Sequence, residues 1–161
     1  MNINLVSFET AKYILDFELA KGSLRCRCRD TGSIAWIKRL KDIAGISSVS
    51  EDGERFFLAC EIDDDIGGRF LALRKEDGNT AWFIAGKALL NIIYAGMLYL
   101  IFIDDTRRYF FIQVDASDGT VVWHHPVDKD LRDYSINKAS VLLEYASGKT
   151  ECLNARTGMP V

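Results

Sequence analysis

Apolar residues along this chain come in runs of five to nine, rich in β-branched and aromatic side chains and cut by short polar breakers. One stretch reads GISSVS, RFFLACEID, RFLALRK, TAWFIAG; a later one reads NIIYAG, MLYLIFID, YFFIQVDA, TVVWHHPV. The breakers are Glu51-Asp52-Gly53, Gly67-Gly68, Ala95-Gly96 and Ser117-Asp118-Gly119. A 3.6-residue period is sustained nowhere, so the runs predict strands and no long helix. Gly67-Gly68 is expected to be a hairpin turn, since no helix follows it to make a phosphate loop.

The strand pattern repeats. RCRDTGSIAW (27–36), LRKEDGNTAW (73–82) and VDASDGTVVW (114–123) each place a glycine four residues before a tryptophan, and LNARTGMPV (153–161) is a fourth partial copy. The pairs are Gly32 and Trp36, Gly78 and Trp82, Gly119 and Trp123, and these use all three tryptophans of the chain. The four glycines, with Gly158, are spaced 46, 41 and 39 residues apart. A period near 40 with four strands per unit is the signature of propeller blades. The Asp-Gly and Thr-Gly pairs fit a tight hairpin between third and fourth strands, where glycine supplies a positive φ. The tryptophan then lies in the fourth strand, placed to pack across to the next blade.

This motif resembles the pyrroloquinoline-quinone-like propeller repeat, Ala-x-Asp-x-x-Thr-Gly-x-x-x-Trp, in four copies over essentially the whole chain. The third copy is the nearest, with Asp115 in the acidic slot; Cys28, Arg74 and Asn154 hold that slot elsewhere. The resemblance implies an all-β fold, a small β-propeller of about four blades over 1–161, with blades near 1–40, 41–87, 88–128 and 129–161. The last blade lacks its fourth strand, which the N-terminal INLVSF is expected to supply. The rival arrangement is an open ring that completes itself as a homodimer. A repeat of this kind identifies a blade and not, by itself, a quinone site.

Composition is that of a globular chain: 161 residues, 48% hydrophobic, 27% charged, with a net charge of −3. That balance implies no general affinity for nucleic acid or an anionic membrane. The longest apolar run, residues 95–103, is too short to span a bilayer as a helix. No secretion signal is visible at the N-terminus, so a cytoplasmic location and four reduced thiols, Cys26, Cys28, Cys60 and Cys152, are expected.

Candidate chemistry is sparse. His124 and His125, the only histidines, are adjacent on a strand and point to opposite faces, so they cannot share a metal. Cys26 and Cys28 share a face, but zinc needs four ligands, and the remaining cysteines are isolated. Asp63-Asp64-Asp65 lacks the alternating ligands of a calcium loop. No nucleophile elbow, zinc-protease helix or phosphate loop is present. No catalytic residue, cofactor or metal is therefore expected.

The aspartates carry more when taken together. In a propeller, the loops between second and third strands emerge on the same face as the connections between blades. These segments hold Asp63, Asp64, Asp65, Asp104, Asp105, Asp128, Asp130 and Asp133, diluted by Arg107, Arg108, Lys129 and Arg132. Such a rim would attract a basic protein. The sequence thus predicts a non-enzymatic, protein-binding propeller, most concretely an immunity-type protein that binds and neutralises a basic toxin or nuclease. The alternatives are a small enzyme or ligand-binding domain related to quinoprotein propellers, and a self-assembling structural module. A deep axial pocket would mark the enzyme, and an exposed apolar edge the module.

Overall fold

The computed structural model describes residues 4–62 and 67–161. Its strands form four antiparallel sheets and, among the described residues, no helix. The first sheet is β1 (Leu5–Glu9), β2 (Tyr13–Glu18), β3 (Ser23–Cys28) and β4 (Ile34–Arg39). The second is β5 (Ile43–Glu51), β6 (Arg55–Ile62), β7 (Gly68–Arg74) and β8 (Thr80–Ala85). The third is β9 (Lys87–Tyr94), β10 (Met97–Ile103), β11 (Tyr109–Asp115) and β12 (Val121–Pro126). The fourth has three strands, β13 (Leu131–Ile136), β14 (Ser140–Tyr145) and β15 (Thr150–Asn154). Neighbours in sequence are neighbours in each sheet, the simplest connectivity antiparallel strands allow. This is the all-β fold of a small β-propeller of about four blades.

Two expectations about strands change. The N-terminal segment does not complete the fourth sheet: Leu5–Glu9 pairs with Tyr13–Glu18 in the first. Thr10 closes that hairpin, its N–H donating to the Tyr13 carbonyl at 2.9 Å and its Oγ1 accepting from the Tyr13 N–H at 3.1 Å. A three-residue loop loses far less closure entropy than a pairing across the whole chain. Gly68, expected in a turn, is the first residue of β7 and pairs with Glu61.

The repeated motif builds the same turn four times. Each glycine N–H donates to the carbonyl four residues earlier: Gly32 to Cys28, Gly78 to Arg74 and Gly119 to Asp115 at 2.9 Å, and Gly158 to Asn154 at 2.8 Å. The glycines sit at φ of +71°, +76°, +79° and +71°, where a Cβ is strained. In the first three sheets a bulge follows on the fourth strand, at Ala35, Ala81 and Val122, opposite Cys26 and Arg27, Ala72 and Leu73, and Gln113 and Val114. The expected tight hairpin is thus a wider loop of five residues between the third and fourth strands. The slot shared by Asp115 and Asn154 caps it: Asp115 Oδ1 accepts from the Ser117 N–H and Asn154 Oδ1 from the Arg156 N–H, both at 2.9 Å.

The chain divides into two compact units, Met1–Ala88 and Leu89–Val161. In the first, Leu15, Phe17, Leu24, Cys26 and Trp36 pack against Phe56, Leu58, Cys60, Leu71 and Leu73. The Trp36 indole N–H donates to the Lys75 carbonyl at 2.9 Å, and a Cβ on Gly78 would lie 2.6 Å from its ring. In the second unit Tyr99, Ile101, Phe111 and Trp123 pack against Tyr134, Val141, Leu143, Tyr145 and Leu153. There Trp123 donates to the Ala155 carbonyl at 3.0 Å, and a Cβ on Gly158 would lie 2.5 Å from its ring. Lys75 and Ala155 hold the same place in their repeats, so Trp36 and Trp123 occupy equivalent positions. Trp82 is buried as well.

Candidate partner-binding surface

Of the eight aspartates, Asp63, Asp64 and Asp65 lie outside the described residues. The other five belong to the second unit. Asp104 is turned into its own loop: Oδ1 accepts from the N–H groups of Thr106 and Arg108 and from the Thr106 hydroxyl, and Oδ2 takes the Arg108 guanidinium at 3.0 Å. Burial pushes its carboxyl up, but these donors outweigh that and hold it below the ordinary carboxylate range. Asp105 is exposed at the tip of the same loop. Asp128 meets Lys149 at 3.4 Å, Asp130 accepts from the Ser147 N–H at 3.1 Å, and Asp133 accepts from the Tyr134 N–H at 2.8 Å. Most of the described aspartates thus carry local structure as well as charge.

The β10–β11 loop and the β12–β13 connection lie side by side, joined where the Val127 N–H donates to the Tyr109 carbonyl at 3.0 Å. They frame a depression of about 470 Å³. Tyr109, Phe110, Pro126 and Val127 give it apolar walls, while Arg107, Arg108, Lys129 and Asp128 supply charge. Arg108 lies over the Phe110 ring at 5.5 Å, and His124 meets that ring edge-on at 5.5 Å. The charge around this depression is mixed, with cations in the majority.

A second cluster escaped the sequence reading. His125 is half-buried, with Nε2 3.1 Å from Glu151 Oε2. The buried Tyr145 hydroxyl donates to Glu151 Oε1. Lys149 lies 4.9 Å from the centre of the Tyr145 ring. Burial pushes the Glu151 carboxyl up, but Tyr145, His125 and Lys149 together bring it below its usual range. The signal was present: Glu151 stands where the other repeats have Arg25, Leu71 and Ile112. The edge strand β9 was also missed as a surface. Leu90, Ile92 and Tyr94, alternating along it, are 44%, 43% and 39% exposed, more apolar area than a lone surface residue shows.

A groove of about 1010 Å³ lies between the first two sheets and is ionic. Lys12, Arg55, Arg74 and Lys75 line it with Glu51, Asp52, Glu54 and Glu76. Lys75 meets Glu51 at 2.5 Å and Arg55 meets Asp52 at 2.7 Å. Burial raises the Glu51 carboxyl, but Lys75 and the Ala11 N–H bring it below the ordinary range. Among the described residues no group of three or more His, Cys, Asp or Glu side chains could hold a metal ion. No helix of the described chain is long and apolar enough to cross a membrane. The four cysteines are free thiols, Cys26 and Cys60 buried and Cys152 exposed.

Solved structures share this arrangement of blades. BamB from Moraxella catarrhalis matches all of this chain with 48% of its own, at TM-score 0.63 and 21% identity. The chain folds as a β-propeller. A europium-containing methanol dehydrogenase matches 96% of this propeller with 40% of its own chain (TM-score 0.69, 12% identity). The computationally designed Ika4 protein matches 92% with 88% of its own (TM-score 0.65, 7% identity). The propeller thus spans about half or less of the two natural chains it matches. No family model and no curated protein matches it.

Proposed function

We propose that this propeller is a cytoplasmic protein-binding module without catalytic activity, most concretely an immunity-type protein that neutralises a basic toxin or nuclease. The observation that supports it is the depression between the β10–β11 loop and the β12–β13 connection. Apolar walls at Phe110, Pro126 and Val127 with charged residues around them are the anatomy of a protein interface, an anchoring pocket inside a polar rim. The mixed charge refines the partner: its surface presents an apolar side chain flanked by basic residues that meet Asp105 and Asp128, and by an acidic group that meets Arg107 or Lys129. Phe110→Ala should raise the dissociation rate of a captured partner at least about tenfold. Asp105→Asn with Asp128→Asn should slow association, more at low salt than at high. These two aspartates are chosen because Asp104 holds its own turn. A captured toxin whose binding ignores all three changes would eliminate this surface. A self-assembling module is the second reading, favoured by the exposed Leu89, Leu90, Ile92 and Tyr94 of β9.

A further inference from the structure

The first sheet carries an ionic face where the second sheet carries core. Cross-strand pairing sets Ser7, Asp16, Arg25 and Ile37 in one row. Arg27 and Glu9 lie in the row on one side of it, and Glu18, Ser23 and Arg39 in the row on the other. Residues paired in this way share a face. In the second sheet the slots of Asp16, Arg25 and Arg27 hold Leu58, Leu71 and Leu73. Those three are buried in the core that the second sheet forms with the first. On the first sheet the same face is open to water, and Ile37 is 62% exposed.

The centre of this face has a fixed geometry. The Asp16 side chain is 1% exposed. Its Oδ2 accepts from Arg25 Nε at 3.3 Å and Nη2 at 3.1 Å and from Arg27 Nε at 2.8 Å, and its Oδ1 accepts from the Ser7 hydroxyl at 2.6 Å. A solvated end face needs no buried carboxylate; this one holds two guanidiniums in place from beneath. Both arginines are partly exposed. Both Nη groups of Arg27 and Nη1 of Arg25 donate to nothing among the described residues, so these donors face solvent. The other acids of the face are taken, Glu9 by Arg29 at 3.6 Å and Glu18 by Lys21 at 3.7 Å. Arg39 is exposed and makes no ion pair among the described residues. Asp30 and Asp42 lie in the loops beyond β3 and β4, past Arg29 and Lys41. The face therefore keeps three arginines against one buried carboxylate, on a chain of net charge −3.

We propose that this face docks an acidic segment of a partner protein. Two carboxylates at alternate positions of an extended strand meet Arg25 and Arg27, and a neighbouring apolar side chain meets Ile37. Residues two apart on a strand stand about 7 Å from one another, so the spacing of the acids matches that of the arginines. Two carboxylates also neutralise what Arg25, Arg27 and Arg39 carry beyond Asp16. Leu5, Lys21, Ser23, Arg25 and Ile37, with the paired Glu18, frame a depression of about 240 Å³, which seats the apolar side chain. A free oxyanion would satisfy the arginines but leave Leu5 and Ile37 wet, so the apolar half of the face selects a polypeptide. The surface at Phe110 takes a partner of the opposite charge, and neither reading rests on the other.

The capped peptide Leu-Ser-Glu-Ser-Glu-Ser, titrated into the full chain in low salt while the arginine Nε–H signals are followed by NMR, tests it. Saturable shifts are expected at Arg25 and Arg27, with the dissociation constant rising in high salt. The same peptide with both Glu replaced by Gln should not bind. Arg27→Gln leaves Arg25 on Asp16 and should raise the dissociation constant at least about tenfold. Should that change disturb the sheet, Arg39→Gln breaks no ion pair and should still raise it about threefold. Ile37→Ser should weaken binding about threefold as well, and Lys138→Gln, an exposed cation of the second unit, should leave it unchanged. Equal binding of the Glu and Gln peptides would overturn the proposal, as would a loss with Lys138→Gln matching that with Arg27→Gln. Inorganic phosphate that displaces the peptide at equal concentration, with Ile37→Ser silent, would assign the arginines to a free anion and overturn it too.

Discussion

At the scale of single residues, the glycine–tryptophan pair is where sequence and fold meet most directly. Gly78 needs to be glycine twice over: its φ is +76°, and a Cβ would sit 2.6 Å from the Trp36 ring. Gly32 has the same backbone, φ +71°, but nothing within 4 Å of where a Cβ would stand. The two sites therefore separate backbone strain from ring packing. Gly32→Ala should cost about 1 kcal/mol. Gly78→Ala should cost about 2–4 kcal/mol, the excess coming from the displaced indole; urea unfolding of both variants checks the difference. The thiols give a second residue-scale prediction. Burial pushes Cys26, helped by Cys28 and Asp16, and Cys60 each up to about 12. At pH 8 a thiol reagent should consume the exposed Cys152 first and leave Cys26 and Cys60 until the chain unfolds. Rapid loss of all four thiols from folded protein would contradict this packing.

Elements were the most legible level. Among the described residues, fifteen strands follow from apolar runs and breakers because a strand bounded by turns is a local object, and each sheet is built from strands adjacent in sequence. The loops were legible as loops but not in what their side chains do. Asp104 reads as one more rim charge until the structure shows four donors of its own loop around it. The pairing of His125 with Glu151 was hidden for a similar reason: it joins β12 to β15, 26 residues on, and no spacing rule links them. Yet each partner occupies a slot where the repeat offers a comparison, so aligning the repeats position by position would have flagged Glu151 and Asp16. Removing the charge at Glu151 tests how much that link holds. Glu151→Gln leaves Tyr145 and His125 with a weaker acceptor in a half-buried place and should cost about 1–3 kcal/mol. Thermal unfolding measures it, and a cost within 0.5 kcal/mol of zero would make the cluster ornamental.

For the whole molecule, these carboxylates act together through pH. Asp16, Glu51, Asp104 and Glu151 all titrate below their ordinary values, because arginine, lysine, histidine or backbone donors outweigh the burial that opposes ionisation. A carboxylate with a depressed folded value binds a proton more readily in the unfolded chain. Its stabilisation is complete above the unfolded value of about 4 and drains away as pH falls through the folded one. Asp16 and Glu51 lie in the first unit, Asp104 and Glu151 in the second, so acid should weaken both units. The urea midpoint is expected to be flat from pH 6 to 7 and to fall steadily between pH 5 and 2. Asp16 should dominate the decline, since its side chain is the most buried of the four and faces two arginines. Asp16→Asn should lower stability at pH 7 by about 2 kcal/mol or more, a figure kept low because both arginines are partly screened by solvent. The variant and the parent should then converge as the pH approaches 2, where the parent's Asp16 is protonated too. Parallel curves across the whole range would show that Asp16 acts through packing, and that its charge contributes nothing to holding the first sheet.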